Sequence, residues 1–237
     1  MLIGATFLLA GLVKGVIGMG LPTVAMGLLA LALRPAEAAA ILVVPSLVTN
    51  VWQLLAGPRF GTLARRLWPM MATVLVGTIA GAGVLAGNVA GLAKVGLGVA
   101  LIVYAVVGLA GIRLAVAARH EVWAGPLVGA VTGLITGATG VFAIPAVPYL
   151  QAIGLEKDEL IQALGLSFTV STIALALGLL RVDAWHAGSV WMSLLALAPA
   201  LLGMQLGQML RSRIAAATFR RVFFAGLLLL GATLALA

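Results

Sequence analysis

The stretch GLVKGVIGMGLPTVAMGLL, residues 11–29, decides the fold because closely spaced glycines interrupt an otherwise apolar helix there. The stretch GLITGATGVFAIPAVPYL, residues 133–150, interrupts a second apolar block in the same way. Each block exceeds the length of one membrane span, so we expect two half-helices of about 12–14 residues in each, meeting near mid-membrane. Backbone groups freed by such breaks are tolerated only where protein or a water-filled cavity satisfies them.

The composition extends this interpretation to the whole chain. Hydrophobic residues make up 63% of the 237 residues and charged residues 8%, whereas a soluble domain is about half apolar and a quarter charged. This excludes a soluble protein, and intrinsic disorder is excluded because it requires low hydrophobicity. Eight apolar blocks separated by short charged loops predict an all-α integral membrane protein. The absence of cysteine excludes disulfides and thiolate metal sites.

The chain resembles itself after a shift of 122 residues. Glycines at the two breaks coincide, as do charged residues at equivalent positions; examples are Gly11–Gly133, Gly15–Gly137, Gly18–Gly140, Glu37–Glu159 and Arg59–Arg181. We therefore predict two transmembrane repeats of about four helical blocks each, residues 1–118 and 122–237, with a broken or re-entrant first helix in each half. Interrupted segments at matching positions of two halves are typical of a transporter's binding site.

The basic residues indicate how the halves are oriented. Eight plain spans would divide the loop charges six against seven, without the bias expected of a membrane protein. Re-entrant broken blocks would instead place ten on one face, namely Arg59, Arg65, Arg66, Arg113, Arg119, Lys157, Arg211, Arg213, Arg220 and Arg221, against Arg34, Lys94 and Arg181. We therefore predict inverted halves with the basic face in the cytoplasm. Basic residues so distributed do not predict nucleic-acid binding.

The two glycine-rich stretches resemble those of the sulfite exporter TauE/SafE family of membrane permeases. The resemblance covers essentially the whole chain, although Met19 interrupts the first glycine run and Val141 and Phe142 replace glycines in the second. It implies a secondary transporter in the cell inner membrane that moves a small anion, such as sulfite or an organosulfonate, without a cofactor. A passive anion channel and a permease for another small solute are the alternatives.

An oxyanion site needs hydrogen-bond donors and no nearby carboxylate. Half-helices beginning near Met19 and Val141 would point free N–H groups at the membrane centre. The candidate substrate-binding residues are Lys14, Gly18, Met19, Gly20, Thr23, Ser46, Thr49, Asn50, Thr136, Thr139, Gly140, Ser167, Ser171 and Thr172. Alternatively, the serines and threonines bond their own backbone and Lys14 extends to the membrane interface.

Other polar residues have simpler explanations. Glu37 and Glu159 are interpreted as acids in the first turns of helices rather than proton carriers. His120 and His186 are expected in loops, without a chemical role, and five tryptophans near block ends are expected to be interfacial anchors. No HExxH or GxSxG motif predicts an enzyme, and no metal is expected. The sequence leaves open whether the chain acts alone or as a homodimer.

Overall fold

The computed structural model describes residues 1–87, 90–111, 114–184, 186–211, 213 and 215–236, which form α-helices without a strand. The helices are α1 (Leu2–Ile17), α2 (Leu21–Leu29), α3 (Pro35–Leu55), α4 (Phe60–Ala86), α5 (Ala90–Ala110), α6 (Ala118–Thr139), α7 (Ala146–Ala152), α8 (Lys157–Arg181), α9 (Ala187–Arg211) and α10 (Ala216–Leu236). Seven of them are long and apolar enough to cross a membrane. The prediction of an all-helical, multi-pass membrane protein is confirmed.

Both glycine-rich breaks are present. Gly18, with φ of 78°, and Gly20, with φ of 102°, separate α1 from α2, and Gly140, with φ of 72°, ends α6. These left-handed backbone conformations strongly favour glycine over any residue with a Cβ atom. We call residues 2–29 broken segment one and residues 118–152 broken segment two.

The expected half-helices of similar length are not found. Helix α1 has 16 residues and α2 has 9, whereas α6 has 22 residues and α7 only 7. Helix α7 begins at Ala146 rather than near Val141. A reason is that proline disfavours helical backbone in the residue before it, so Pro145 holds Ile144 out of a helix.

Small residues bring helices from distant parts of the chain into backbone contact. A methyl group built on Gly11 of α1 would lie 2.1 Å from the carbonyl oxygen of Ala200 in α9, and one on Gly15 would lie 2.2 Å from that of Met204. The residue numbers at these contacts increase together along both helices, so α1 and α9 run parallel. Small residues four apart allow this close approach between membrane helices.

Helices α4 and α6 contact each other in the same way. A methyl group on Gly133 would lie 2.5 Å from the carbonyl oxygen of Val74, and one on Gly137 would lie 2.3 Å from that of Thr78. Here too the numbers rise together along both helices, so α4 and α6 run parallel. The first helix of each broken segment therefore packs against a long helix outside its own half of the chain.

Helices α3 and α8 form the centre of the bundle. In an apolar 18-residue stretch of each helix, the buried share is 67% for α3 and 72% for α8, against 28% for α10. Gln162 of α8 donates to the carbonyl oxygen of Leu54 at 2.8 Å, while Thr172 lies beside Asn50 one turn earlier on α3. At these contacts the residue numbers decrease along α3 as they increase along α8, so the two helices are antiparallel.

Helices α5 and α10 are antiparallel as well. A methyl group built on Gly98 would lie 2.6 Å from the backbone nitrogen of Ala235, and one on Gly108 would meet the ring of Phe224 at 2.2 Å. Helix α5 therefore approaches the end of α10 near its own start and the beginning of α10 near its own end.

Broken segment two returns to the end of the molecule from which it starts. The Val116 N–H, just before α6, donates to the carbonyl oxygen of Ala152 at the end of α7 at 2.9 Å. Arg66 of α4 spans the same two ends, with two hydrogen bonds of 2.8 and 2.7 Å to Glu121 and one of 2.9 Å to the carbonyl oxygen of Ile153. The segment thus enters and leaves the bundle on one side.

Candidate functional site

A buried cation lies beside the first break. Lys14, near the end of α1, is 3% exposed. Its ammonium donates to Asn50 Oδ1 and, at 3.2 Å, to Thr49 Oγ1, both on the central helix α3. The described residues supply no carboxylate to pair with it. The Lys14 side chain is therefore held inside the helix bundle, and its hydrogen-bond partners are neutral groups.

Asn50 connects this cation to both halves of the chain. Its amide oxygen faces Lys14, while its amide nitrogen donates to Ser46 Oγ at 3.2 Å and to Thr172 Oγ1 at 3.3 Å. Thr172 in turn donates to the carbonyl oxygen of Phe168 at 2.7 Å. The amide orientation follows from these partners, because the oxygen must accept and the nitrogen must donate. We call Lys14, Ser46, Thr49, Asn50 and Thr172 the lysine cluster.

The lysine cluster leaves donor capacity unused. An ammonium has three N–H donors, and two are used by Asn50 and Thr49. The third has no acceptor among the described residues. A buried ionised side chain without a partner of opposite charge is costly, and the hydrogen bonds of Lys14 leave room for one more acceptor.

Two candidate residues of broken segment two hold their own backbone instead. Thr136 donates to the carbonyl oxygen of Val141 at 3.1 Å. Thr139 donates to the carbonyl oxygen of Ile135 at 2.6 Å and accepts from the Val141 N–H at 3.2 Å. Both hydroxyls thus stabilise the backbone at the break, in agreement with the alternative that threonines bond their own backbone. Gly140 completes the same turn with its left-handed backbone.

The remaining candidates lie outside the lysine cluster. Thr23 is buried in α2. Ser167 and Ser171 are fully buried on α8, and their hydroxyl oxygens have no hydrogen-bond partner within the described part of the chain. The same holds for Thr78 and Thr132 on the neighbouring helices α4 and α6. The hydrogen bonds within the described residues therefore bring together only part of the candidate set.

Met19 lies between the two glycines of the first break and contacts a residue that the sequence did not suggest. The hydroxyl of Tyr104, on α5, donates to Met19 Sδ at 3.2 Å. Tyr104 is 2% exposed and packs edge-on against Phe223 and Phe224 at centroid distances of 6.5 and 5.2 Å. A single phenol within an apolar helix is the signal that could have found it, since a buried hydroxyl usually has a partner.

The two acids at equivalent helix starts act as caps. Glu37 accepts from the Arg34 N–H at 3.4 Å and Glu159 from the Glu156 N–H at 3.1 Å. Glu159 also pairs with Arg59 at 3.0 Å. These contacts agree with acids that stabilise the first helical turn.

The two histidines lie in different kinds of local structure. His120 lies in the first turn of α6 against Trp123 rather than in a loop, because α6 begins at Ala118; His186 lies in a loop. Among the anchors, Trp52, Trp68, Trp123 and Trp191 are exposed. Trp185 and Arg113 lie outside the described residues.

Comparisons with known proteins give one result. Residues 3–234 match the family model described as Sulfite exporter TauE/SafE. No curated protein and no solved structure matches the chain. The match covers almost the entire sequence and includes both glycine-rich breaks. The chain therefore belongs to the sulfite exporter TauE/SafE family of membrane transporters.

Proposed function

We propose that this chain is a secondary transporter of a small anion, sulfite or an organosulfonate, in the cell inner membrane. The observation that carries the proposal is Lys14, a buried cation whose contacts are all neutral. A monovalent oxyanion would neutralise the ammonium and accept hydrogen bonds from it, as charge-assisted bonds to oxyanions do. A cation would meet an uncompensated positive charge there.

Alternating access is supported by the directions of the helices. Helices α3 and α8 occupy equivalent positions after the 122-residue shift and run antiparallel, and α5 and α10 do the same. In each pair, the helix of the first half runs opposite to its equivalent in the second half. This favours inverted repeats formed by residues 1–118 and 122–237. Inverted repeats that rock around a central site are a common basis of alternating access.

The helix directions also support a cytoplasmic basic face. Helix α1 runs parallel to α9 and α6 parallel to α4. Consecutive full spans run in opposite directions and α3 is antiparallel to α8, so α9 has the direction of α3 and α4 has the direction of α8. Each broken segment therefore starts on the same side as the full span that follows it. Each segment is therefore re-entrant, as the hydrogen bond between Val116 and Ala152 supports for the second. The ten basic residues, of which Arg113 lies outside the described part, then share one face, which the positive-inside rule assigns to the cytoplasm.

Flux through proteoliposomes tests the proposal. Purified protein on solid-supported membranes would be offered sulfite, sulfonates, carboxylates and metal cations. We expect saturable flux of a sulfur oxyanion. In K14M the apparent affinity for that anion should fall about a hundredfold, the effect of removing about 3 kcal/mol of anion binding. K94M is the matched control, since Lys94 is partly exposed on α5.

Three results would oppose the proposal. A response to cations alone would exclude an anion site at Lys14. Equal flux in K14M and K94M would separate transport from the lysine cluster. Flux that never saturates, without counterflow of labelled anion, would identify a passive channel instead of a carrier.

A further inference from the structure

A cavity of about 460 Å³ lies directly beside the first break. Both broken segments line it: Ile17 and Met19 from the first, and Val147, Pro148 and Gln151 from the second. Helices α5 and α10 complete the wall with Tyr104, Gly108, Arg220 and Phe224. The cavity therefore joins the two elements whose breaks define this fold.

The charge in this cavity is positive. Arg220 is the one charged side chain among the described residues that line it. Arg220 is exposed and takes part in none of the ion pairs that the structure describes, which are Arg34–Glu37, Arg59–Glu159 and Arg66–Glu121. Its guanidinium is therefore available, and a guanidinium binds an oxyanion through two parallel N–H donors.

Met19 and Tyr104, which both line the cavity, contact each other. Met19 lies five residues beyond Lys14 and separates the glycines of the break. The Tyr104 hydroxyl holds it at 3.2 Å. Thioether sulfur is a weak acceptor, and Gly18 and Gly20 on either side of Met19 have left-handed backbone conformations.

We propose that this cavity is a first binding station for the transported oxyanion on the basic side of the protein. Arg220 binds the anion, Gln151 supplies a neutral donor, and Met19 and Tyr104 form part of the wall. The inference builds on the proposed anion transport and assigns residues for recognition before the anion reaches Lys14.

The paired variants R220Q and R221Q test the station. Both remove one positive charge from the same turn of α10, but only Arg220 lines the cavity. In vesicles of known orientation, with sulfite offered at the basic face, we expect R220Q to raise KM about tenfold and leave the maximal rate near that of the parent, a loss of about 1.4 kcal/mol. R221Q should retain the parent KM.

Further comparisons separate the possible failures. R220K keeps the charge but loses the planar pair of donors, so its KM should lie between those of the parent and R220Q. Equal KM values for R220Q and R221Q would overturn the station while leaving the lysine cluster intact. If the parent protein moves no anion at all, the proposed function itself fails.

Discussion

Asn50 and Thr172 stand 122 residues apart, the same interval that superimposes the two halves of the sequence, and their side chains are hydrogen-bonded at 3.3 Å. Residues that are equivalent in a repeat contact each other only near the axis that relates the repeats. The Lys14 ammonium, which donates to the amide oxygen of Asn50, therefore lies next to the proposed axis. A site there can be approached from either half.

Replacing Asn50 by aspartate should disable the anion site. The new carboxylate would face the Lys14 ammonium as an ion pair, worth about 4 kcal/mol at 4 Å in surroundings of intermediate polarity, and would occupy the place of the substrate anion. We expect N50D to lower kcat/KM for sulfite at least tenfold, measured by flux with folding verified by size-exclusion chromatography.

N50L separates charge from the loss of hydrogen bonds. It removes the same contacts to Ser46 and Thr172 without adding a carboxylate. We expect N50L to retain more anion affinity than N50D. A wild-type KM in N50D would mean that the anion does not approach Lys14.

The glycine contacts between α4 and α6 should be intolerant of side chains. A methyl group on Gly81 would lie 2.7 Å from the carbonyl oxygen of Leu134, whereas one on Gly83 would meet open space. Overfilling a packed interface costs about 1–3 kcal/mol, so G81L should lower the thermal midpoint in detergent by several degrees. G83L, on the same helix, should unfold like the parent; equal midpoints would contradict the packing.

The Arg66–Glu121 pair should fix broken segment two. Because its side chains are 36% and 15% exposed, water weakens the pair, and we expect E121Q to cost about 1 kcal/mol. R65Q, which removes a neighbouring charge without these contacts, is the control. A double-mutant cycle with R66Q should give a coupling energy between the two sites, and strictly additive effects would show that the pair contributes nothing.

The orientation of the loops can be measured directly because the chain contains no cysteine. Single replacements at Arg119 and Lys157 should react with a membrane-impermeant maleimide from the same side. Replacements at Arg34 and Lys94 should react from the other side. Labelling of positions 119 and 157 from opposite sides would exclude the re-entrant path of broken segment two.

The sequence predicts the breaks well and the contacts between them poorly. Gly18 and Gly140 were recognisable because left-handed backbone strongly favours glycine. The start of α7 was misplaced because the effect of Pro145 on the preceding residue outweighed the apolar pattern. A single phenol in an apolar helix draws attention to Tyr104, but without a repeating pattern the sequence does not show that its hydroxyl contacts Met19.

The proximity of Lys14 to Asn50 could not be derived from local pattern either. It depends on how α1 docks, and α1 is held by the glycine contacts with α9, nearly the whole chain away. Residues such as Thr136 and Thr139 looked like equivalent donors, yet their hydroxyls bond to nearby backbone. Pattern alone cannot distinguish a hydroxyl that shapes a turn from one that contacts a buried charge.

The pairing of α1 with α9 has a consequence for biosynthesis. Helix α1 is made well before α9, the helix that covers its glycines, because seven helices lie between them along the chain. Until α9 is made, α1 lacks the neighbour that its glycines contact, and the surroundings of Lys14 are incomplete. Helix α1 should thus reach its final position only after α9 is made. Neither half should fold fully alone, whereas the two halves expressed together should assemble.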